Sequence, residues 1–268
     1  MTPAEYCEAM LYDYEPEWRP PGVVELDRPD VLAWKRPGRP IGYSRVVYAK
    51  WSAHEADARV DEILAFFGDV PFLWHVGPSS SPVDLERRLV ARGLTPGERP
   101  RLMTAPLPLA GAWRSADVRI VEVADRTTAR LGLSLAHHVG GASIEGRELE
   151  RMLEERMAYL ALPTRRGGYL VAFDGDDAVA NAGYRYSSDG RCLYLTGAEV
   201  VEAHRGRGIY QTLVAHRARM ARAQGFKIMS ILANRHTSAP ILAHHGFADH
   251  GDLPWFTRMP PPASSPRA

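Results

Sequence analysis

The sequence predicts a mixed α/β chain made of two related domains, each a sheet flanked by helices, and three observations lead there. Residues 168–173, 178–186 and 191–201 are strand-like runs separated by the turn-rich clusters Asp174-Gly175-Asp176-Asp177 and Ser187-Ser188-Asp189-Gly190, which reads as an antiparallel meander. After it, an amphipathic helix over 208–224 ends at Gly225 and leads into the apolar run 227–233, a strand-helix-strand crossover. The first half repeats the later part of this order more weakly. Its strand 72–76 and helix 82–92 close on Gly93-Leu94, as the strand 227–233 and helix 238–245 close on Gly246-Phe247.

The remaining elements follow in order. Residues 44–51 form a strand and 55–67 a helix, and 102–107 supply another strand to the first half. Residues 104–115 combine Pro, Gly and Ala as a linker does, so the division expected is a first domain over 1–108 and a second over 109–260. The second domain begins with a strand at 118–123, continues with helices at 127–138 and 145–160, and ends with a strand at 254–259. The Pro- and Ser-rich segment 261–268 is expected to be a disordered tail.

Composition narrows the function classes. A chain of 268 residues with 45% hydrophobic and 24% charged residues has room for two cores. A formal net charge of +1 gives no electrostatic ground for a nucleic-acid partner. No window approaches the roughly 18 apolar residues of a membrane span, so no membrane partner is expected. Cys7 and Cys192 lie far apart without His or Cys at ligand spacing, so both read as reduced thiols and no metal site is expected. The amino terminus is acidic and aromatic where a secretory signal is basic and then apolar, which points to a cytoplasmic protein, a monomer or a homodimer with small-molecule partners.

The stretch Arg205-Gly206-Arg207-Gly208-Ile209 lies between a strand and a helix, where unpaired N–H groups and the positive end of the helix dipole converge. Such a point suits an anionic phosphate, with the glycines admitting it closely and the two arginines adding charge outside the nest. The alternative is a tight turn with solvated arginines. A dinucleotide fingerprint needs a third glycine where Gln211 stands, and a phosphate loop of the Gly-Lys-Ser/Thr type is absent.

Read with its neighbours, Ala203-His204-Arg205-Gly206-Arg207-Gly208 resembles the pyrophosphate loop of the GNAT superfamily of N-acetyltransferases, Q/R-x-x-G-x-G/A, with Ala203 in place of the usual first residue. Val200 before the loop, Ile209 after it, Asn234, Ser238 and the Gly246-Phe247 ending stand at spacing similar to the family, so the resemblance covers about residues 118–259. It implies acetyl-CoA, or another acyl-CoA, as co-substrate. It further implies mostly antiparallel sheets whose fourth and fifth strands splay, with Ala198, Val200 and Val201 lining the pantetheine arm. Arg205, Gly206, Arg207, Gly208 and Ile209 would hold the pyrophosphate, and Tyr210, Asn234 and Ser238 would touch the co-substrate. The first half then looks like a degenerate second domain of a tandem arrangement, because Lys50-Trp51-Ser52-Ala53-His54 contains no glycine.

Acyl transfer to an amine needs a base for the amine and a proton for the departing thiolate. Glu199 is the candidate base, with an outward-facing strand carboxylate as the alternative reading. Tyr194 is the candidate acid, with a core-packing aromatic as its alternative. The family's usual acid is a Tyr four residues ahead of the Gly-Phe glycine, where this chain has Leu242. His137, His138, His244 and His245 are further candidates near the acceptor or the co-substrate. The function expected is N-acetyl transfer from acetyl-CoA to the amine of a small molecule by direct attack. A different outcome with another acyl-CoA, such as a longer acyl donor or decarboxylation, and a non-catalytic acyl-CoA sensor or scaffold are the alternatives.

Overall fold

The computed structural model describes residues 2–139 and 146–260, so the segment 261–268 and the side chains of His137 and His138 lie outside the described residues. The chain forms two compact units, one of Met1–Tyr12, Pro20–Arg101 and Gly251–Ala268, the other of Asp13–Arg19 and Leu102–His250.

The first unit opens with α1 (Pro3–Ala9), whose start is closed by reciprocal bonds between Thr2 and Glu5. It continues with β1 (Val24–Arg28), β2 (Val31–Lys35), β3 (Arg45–Ala49), α2 (Ala56–Phe67), β4 (Phe72–His75), α3 (Leu85–Ala91) and β5 (Thr95–Pro96). In α2 the residues Ala56, Val60, Ile63 and Phe67 recur every three or four positions and are all buried, the stripe that drives a helix onto a sheet. Phe67 stacks on Phe72 at 3.9 Å between ring centres, tying the end of α2 to β4. In the turn before α2, Ser52 Oγ accepts from the Glu55 N–H and donates to the Glu55 carboxylate.

The chain then enters the second unit. It runs through β6 (Arg101–Pro106), β7 (Arg119–Glu122), α4 (Arg126–Val139), α5 (Gly146–Leu160), β8 (Gly167–Asp174), β9 (Asp177–Tyr186), β10 (Cys192–Val200), α6 (Ile209–Ala223), β11 (Ile228–Ala233), α7 (Ser238–His244) and β12 (Ala248–Asp252). Strands β8 to β10 form the expected meander, β7 pairs with β8 across α4 and α5, and α6 carries the chain to β11, parallel to β10. One face of this sheet packs Leu193, Leu195, Ala180 and Ala182 against Ile209, Leu213, Val214 and Ala218 of α6. The opposite face packs Val171 and Phe173 against Leu133 of α4 and Leu153 of α5.

Strand β13 (Trp255–Arg258) returns to the first unit. The sheet orders are β1-β2-β3-β4-β13-β5 and β12-β6-β11-β10-β9-β8-β7. Two expected placements therefore change. The strand near 102–107, read as part of the first half, lies between β11 and β12, and the final strand, read as part of the second, pairs with β4 and β5. The physical reason is that a period-2 pattern identifies a strand but not its neighbours, which are chosen by distant complementary edges. The sequence reading also omitted α1, β1, β2, β5 and β12. The last has the composition Ala-Asp-His-Gly-Asp, poor in strand formers, and its place rests on pairing rather than propensity.

Candidate functional site

The site begins where two neighbouring strands part. β10 and β11 are in register from Cys192↔Ile228 to Leu195↔Ile231, and β10 then runs on to Val200 alone on that side. Its other edge remains held by β9 through Ala198↔Ala182, Glu199↔Asn181 and Val200↔Ala180. A bulge between Thr196 and Ala198 marks the point of departure, with Gly197 at a φ of +26°. Directly across the bulge, a Cβ on Gly183 would run into the Thr196 hydroxyl, so this glycine leaves room for the Thr196 side chain. Backbone groups of β10 beyond Leu195 that face β11 are outside the ladder, which suits an extended ligand carrying amides of its own.

The glycine-rich turn closes the end of this gap. Gly206 and Gly208 have φ values of +75° and +88°, and α6 starts at once with no side-chain cap on its first N–H groups. A Cβ built on Gly206 meets nothing within 4 Å, whereas at Gly208 it would stand 3.0 Å from Arg114 Cβ. The segment around Arg114 straps the first turn of α6: its N–H donates to Gln211 Oε1 at 2.9 Å, Ala116 N–H to Thr212 Oγ1 at 2.8 Å, and Arg114 Nη1 to the Gly206 carbonyl at 3.3 Å. Arg205 Nε donates to the Val200 carbonyl at 3.1 Å, binding the loop to the end of β10. Arg207 differs from the expectation of a free cation, because Asp174 holds it in an ion pair at 2.7 Å.

Ile209 is buried in the core under the loop. Tyr210 is half-buried with its hydroxyl near Ser238, the first residue of α7, and burial pushes its pKa up. Asn234 Oδ1 accepts from the N–H groups of His236 and Thr237 at 2.9 and 3.1 Å, so its oxygen shapes the turn into α7. Leu242 is fully buried, and His245 stacks on Trp113 at 4.1 Å.

Glu199 stands on the part of β10 beyond the split. Burial pushes its carboxyl above the ordinary carboxylate range, while the Asn181 amide, Arg156 and Arg217 act in the opposite direction. Tyr194 lies before the split, opposite Ser230 and Arg185, buried at 8% exposure with the Arg185 guanidinium 5.5 Å from its ring. Ala198, Glu199 and Val200 thus lie on β10 beyond the split, Val201, Arg205, Gly206 and Gly208 follow in the turn into α6, Ser238 lies beside Tyr210, and Tyr194 lies in the paired part of the strand. The sequence reading missed Asn181, Arg114 and Arg217. Only Arg217 left a signal, as a charge four residues after Leu213 on the buried stripe of α6. Among the described residues no group of three His, Cys, Asp or Glu side chains could hold a metal, and no helix is long and apolar enough to cross a membrane.

Residues 141–247 match the model of the acetyltransferase (GNAT) family. No curated protein matches the chain. Among solved structures, the chain is similar to a GCN5-related N-acetyltransferase from Kribbella flavida (17% identity, TM-score 0.68, covering 95% of this chain and 94% of that one). It is also similar to a conserved protein of unknown function from Staphylococcus epidermidis (14% identity, TM-score 0.63, 91% and 96% covered). A tandem GNAT protein from the clavulanic acid biosynthesis pathway gives 13% identity and a TM-score of 0.59, with 92% and 86% covered. At these identities the likeness is one of fold, and the fold is that of two GNAT-like domains.

Proposed function

We propose, from the match of residues 141–247 to the acetyltransferase (GNAT) family, that this chain transfers an acetyl group from acetyl-CoA to the amine of a small molecule by direct attack. The observation that carries this reading is the parting of β10 from β11 after Leu195, followed by the positive-φ glycines that open α6.

The residues present fit such a co-substrate. Space for a side chain is free at Gly206, the first N–H groups of α6 have no side-chain cap, and the free edge of β10 offers backbone groups to an amide-containing arm. When bound, acetyl-CoA supplies the activated acyl group. Gly206 and Gly208 admit the pyrophosphate close to the backbone, with Arg205 at its side. The backbone of Ala198 to Val201 orients the arm and donates N–H to the acyl carbonyl oxygen. Glu199, its pKa raised by burial, takes a proton from the attacking amine, with Asn181 opposite it on β9. Tyr194 is the proposed proton donor on the same strand.

We assign the first unit no co-substrate. The turn before its α2, Lys50-Trp51-Ser52-Ala53-His54, has no glycine, and the carboxylate of Glu55 at the helix start repels an anion. Leu242, fully buried where the family has a proton donor, favours one second reading: an acyl-CoA sensor that binds without turnover. Native mass spectrometry with acetyl-CoA and longer acyl-CoAs, followed by thiol release over an amine panel, separates the two. Thiol release with formation of the amide supports the transferase, and failure of every CoA species to bind overturns both.

A further inference from the structure

In the middle of the second unit's sheet, side chains that ought to be covered reach solvent. Tyr169 on β8, Asn181 on β9, and Thr196 and Glu199 on β10 belong to inner strands and share the face that packs on α4 and α5. All four are partly exposed, whereas Val171, Arg185, Tyr194 and Ser230 on the same face are buried. The bulge creates this grouping. With Gly197 as the extra residue, Thr196 and Glu199 point the same way although three positions apart, Thr196 opposite Gly183 and Glu199 opposite Asn181. The opening therefore lies where β10 leaves β11, on the side from which an acceptor can reach an acyl group held by β10.

Arg156 of α5 stands at the edge of this opening and is itself partly exposed. It occupies the inward stripe of the helix, three residues after Leu153 and four after Met152, where the neighbouring positions are apolar. Its guanidinium lies 3.9 Å from the centre of the Tyr169 ring, and its charge acts on both Tyr169 and Glu199. The facing helix makes room for it. Gly132 sits inside α4, where glycine costs helix stability, and a Cβ there would stand 3.4 Å from Arg156 Nη1 and 3.3 Å from Val171. Arg217, the other cation that acts on Glu199, belongs to α6 on the opposite side of the sheet and donates Nη1 to the Gly183 carbonyl at 2.7 Å. Arg156 is thus the cation that shares the opening with the proposed base.

A cation in this place works against a plain amine. Alkylamines are ammonium ions at neutral pH, and Arg156 repels them from the carboxylate that must receive their proton. A carboxylate on the acceptor reverses the sign, because the planar guanidinium takes it through two parallel hydrogen bonds. We propose that the acceptor is an amino acid, an amine carrying a carboxylate, with Arg156 binding the carboxylate while the amine is presented to Glu199. The inference rests on the acyl-CoA reading above. The carboxylate takes no part in bond making. The neutral amine's lone pair forms the C–N bond, its proton passes to Glu199, and the C–S bond breaks with its electron pair on sulfur, which takes a proton from Tyr194, the donor proposed above.

The test is thiol release from acetyl-CoA by the full chain over paired acceptors. The common amino acids, β-alanine and γ-aminobutyrate are each set beside the amine they give on decarboxylation, such as methylamine for glycine and phenethylamine for phenylalanine. The best acceptor should be a carboxylated member, with kcat/KM at least about tenfold above that of its decarboxylated partner. Arg156→Gln should bring that ratio to within about threefold of one, chiefly through KM, and Arg156→Lys should keep part of it. A decarboxylated partner that serves as well as or better than its amino acid in the unmodified chain overturns the inference, whether or not the variants fold, and leaves the transferase reading standing. Equal loss for both members of a pair in Arg156→Gln also overturns it, by limiting Arg156 to tuning Glu199. If coenzyme A binds and no member of either kind is acylated, the inference fails together with the transferase reading; if no coenzyme A species binds, the acyl-CoA reading itself fails.

Discussion

Replacing Gly206 by Asp and, separately, by Asn isolates the electrostatics of the proposed phosphate loop. Residue 206 has a φ of +75°, and a Cβ there meets nothing within 4 Å, so either side chain is accommodated without a clash. Asn and Asp tolerate this backbone region better than other residues, so strain is small and nearly the same in both. The two variants then differ by one charge. A carboxylate about 5 Å from a pyrophosphate bearing about two negative charges is repelled by about 1.7 kcal/mol even at the dielectric constant of water, or about fifteenfold in affinity. Isothermal titration with coenzyme A should show Asn within about threefold of the unmodified chain and Asp at least about tenfold weaker than Asn. The difference should shrink as salt is raised toward 1 M, where the screening length falls to about 3 Å. Equal affinities of the Asp and Asn variants at low salt would refute the placement of the phosphates at this loop.

Three further outcomes follow from named contacts. Glu199→Gln should lower kcat/KM by about 10²- to 10⁴-fold and remove the acid limb of its pH profile, a limb expected above the usual carboxylate range. Because the folded-state pKa of Glu199 is raised, its ionisation opposes folding above that pKa and the opposition fades as pH falls. Glu199→Gln should accordingly raise the melting temperature at neutral pH, and a lowered one would contradict the burial argument. Gly183→Ala drives a methyl onto Thr196 Oγ1, with a destabilisation of about 1–3 kcal/mol in denaturant titration; adding Thr196→Ala should recover most of it. Asp174→Asn frees Arg207 beside the loop, so coenzyme A should bind about two- to fivefold tighter with stability changed by less than about 1 kcal/mol, and weaker binding would count against a phosphate at this end of α6.

The parts of this protein legible in its sequence are those governed by near neighbours. Turn clusters at Asp174-Gly175-Asp176-Asp177 and Ser187-Ser188-Asp189-Gly190 separate β8, β9 and β10 because such residues form tight turns wherever they occur. Gly206 and Gly208 mark the loop because only glycine takes their backbone angles easily, and Leu213, Val214 and Ala221 mark the buried stripe of α6 by their spacing. Other features depend on groups far away along the chain. Trp255 pairs with His75, and β6 joins β11 and β12, because edges of matching shape and pattern meet in space, which no local period encodes. The departure of β10 from β11 after Leu195, the capture of Arg207 by Asp174 and the burial of Arg217 beneath the bulge arise in the same way. Chain-local chemistry thus specifies the loop that would bind phosphate, whereas the dielectric surroundings of Glu199 and Arg217 exist only once distant strands and helices have excluded water around them.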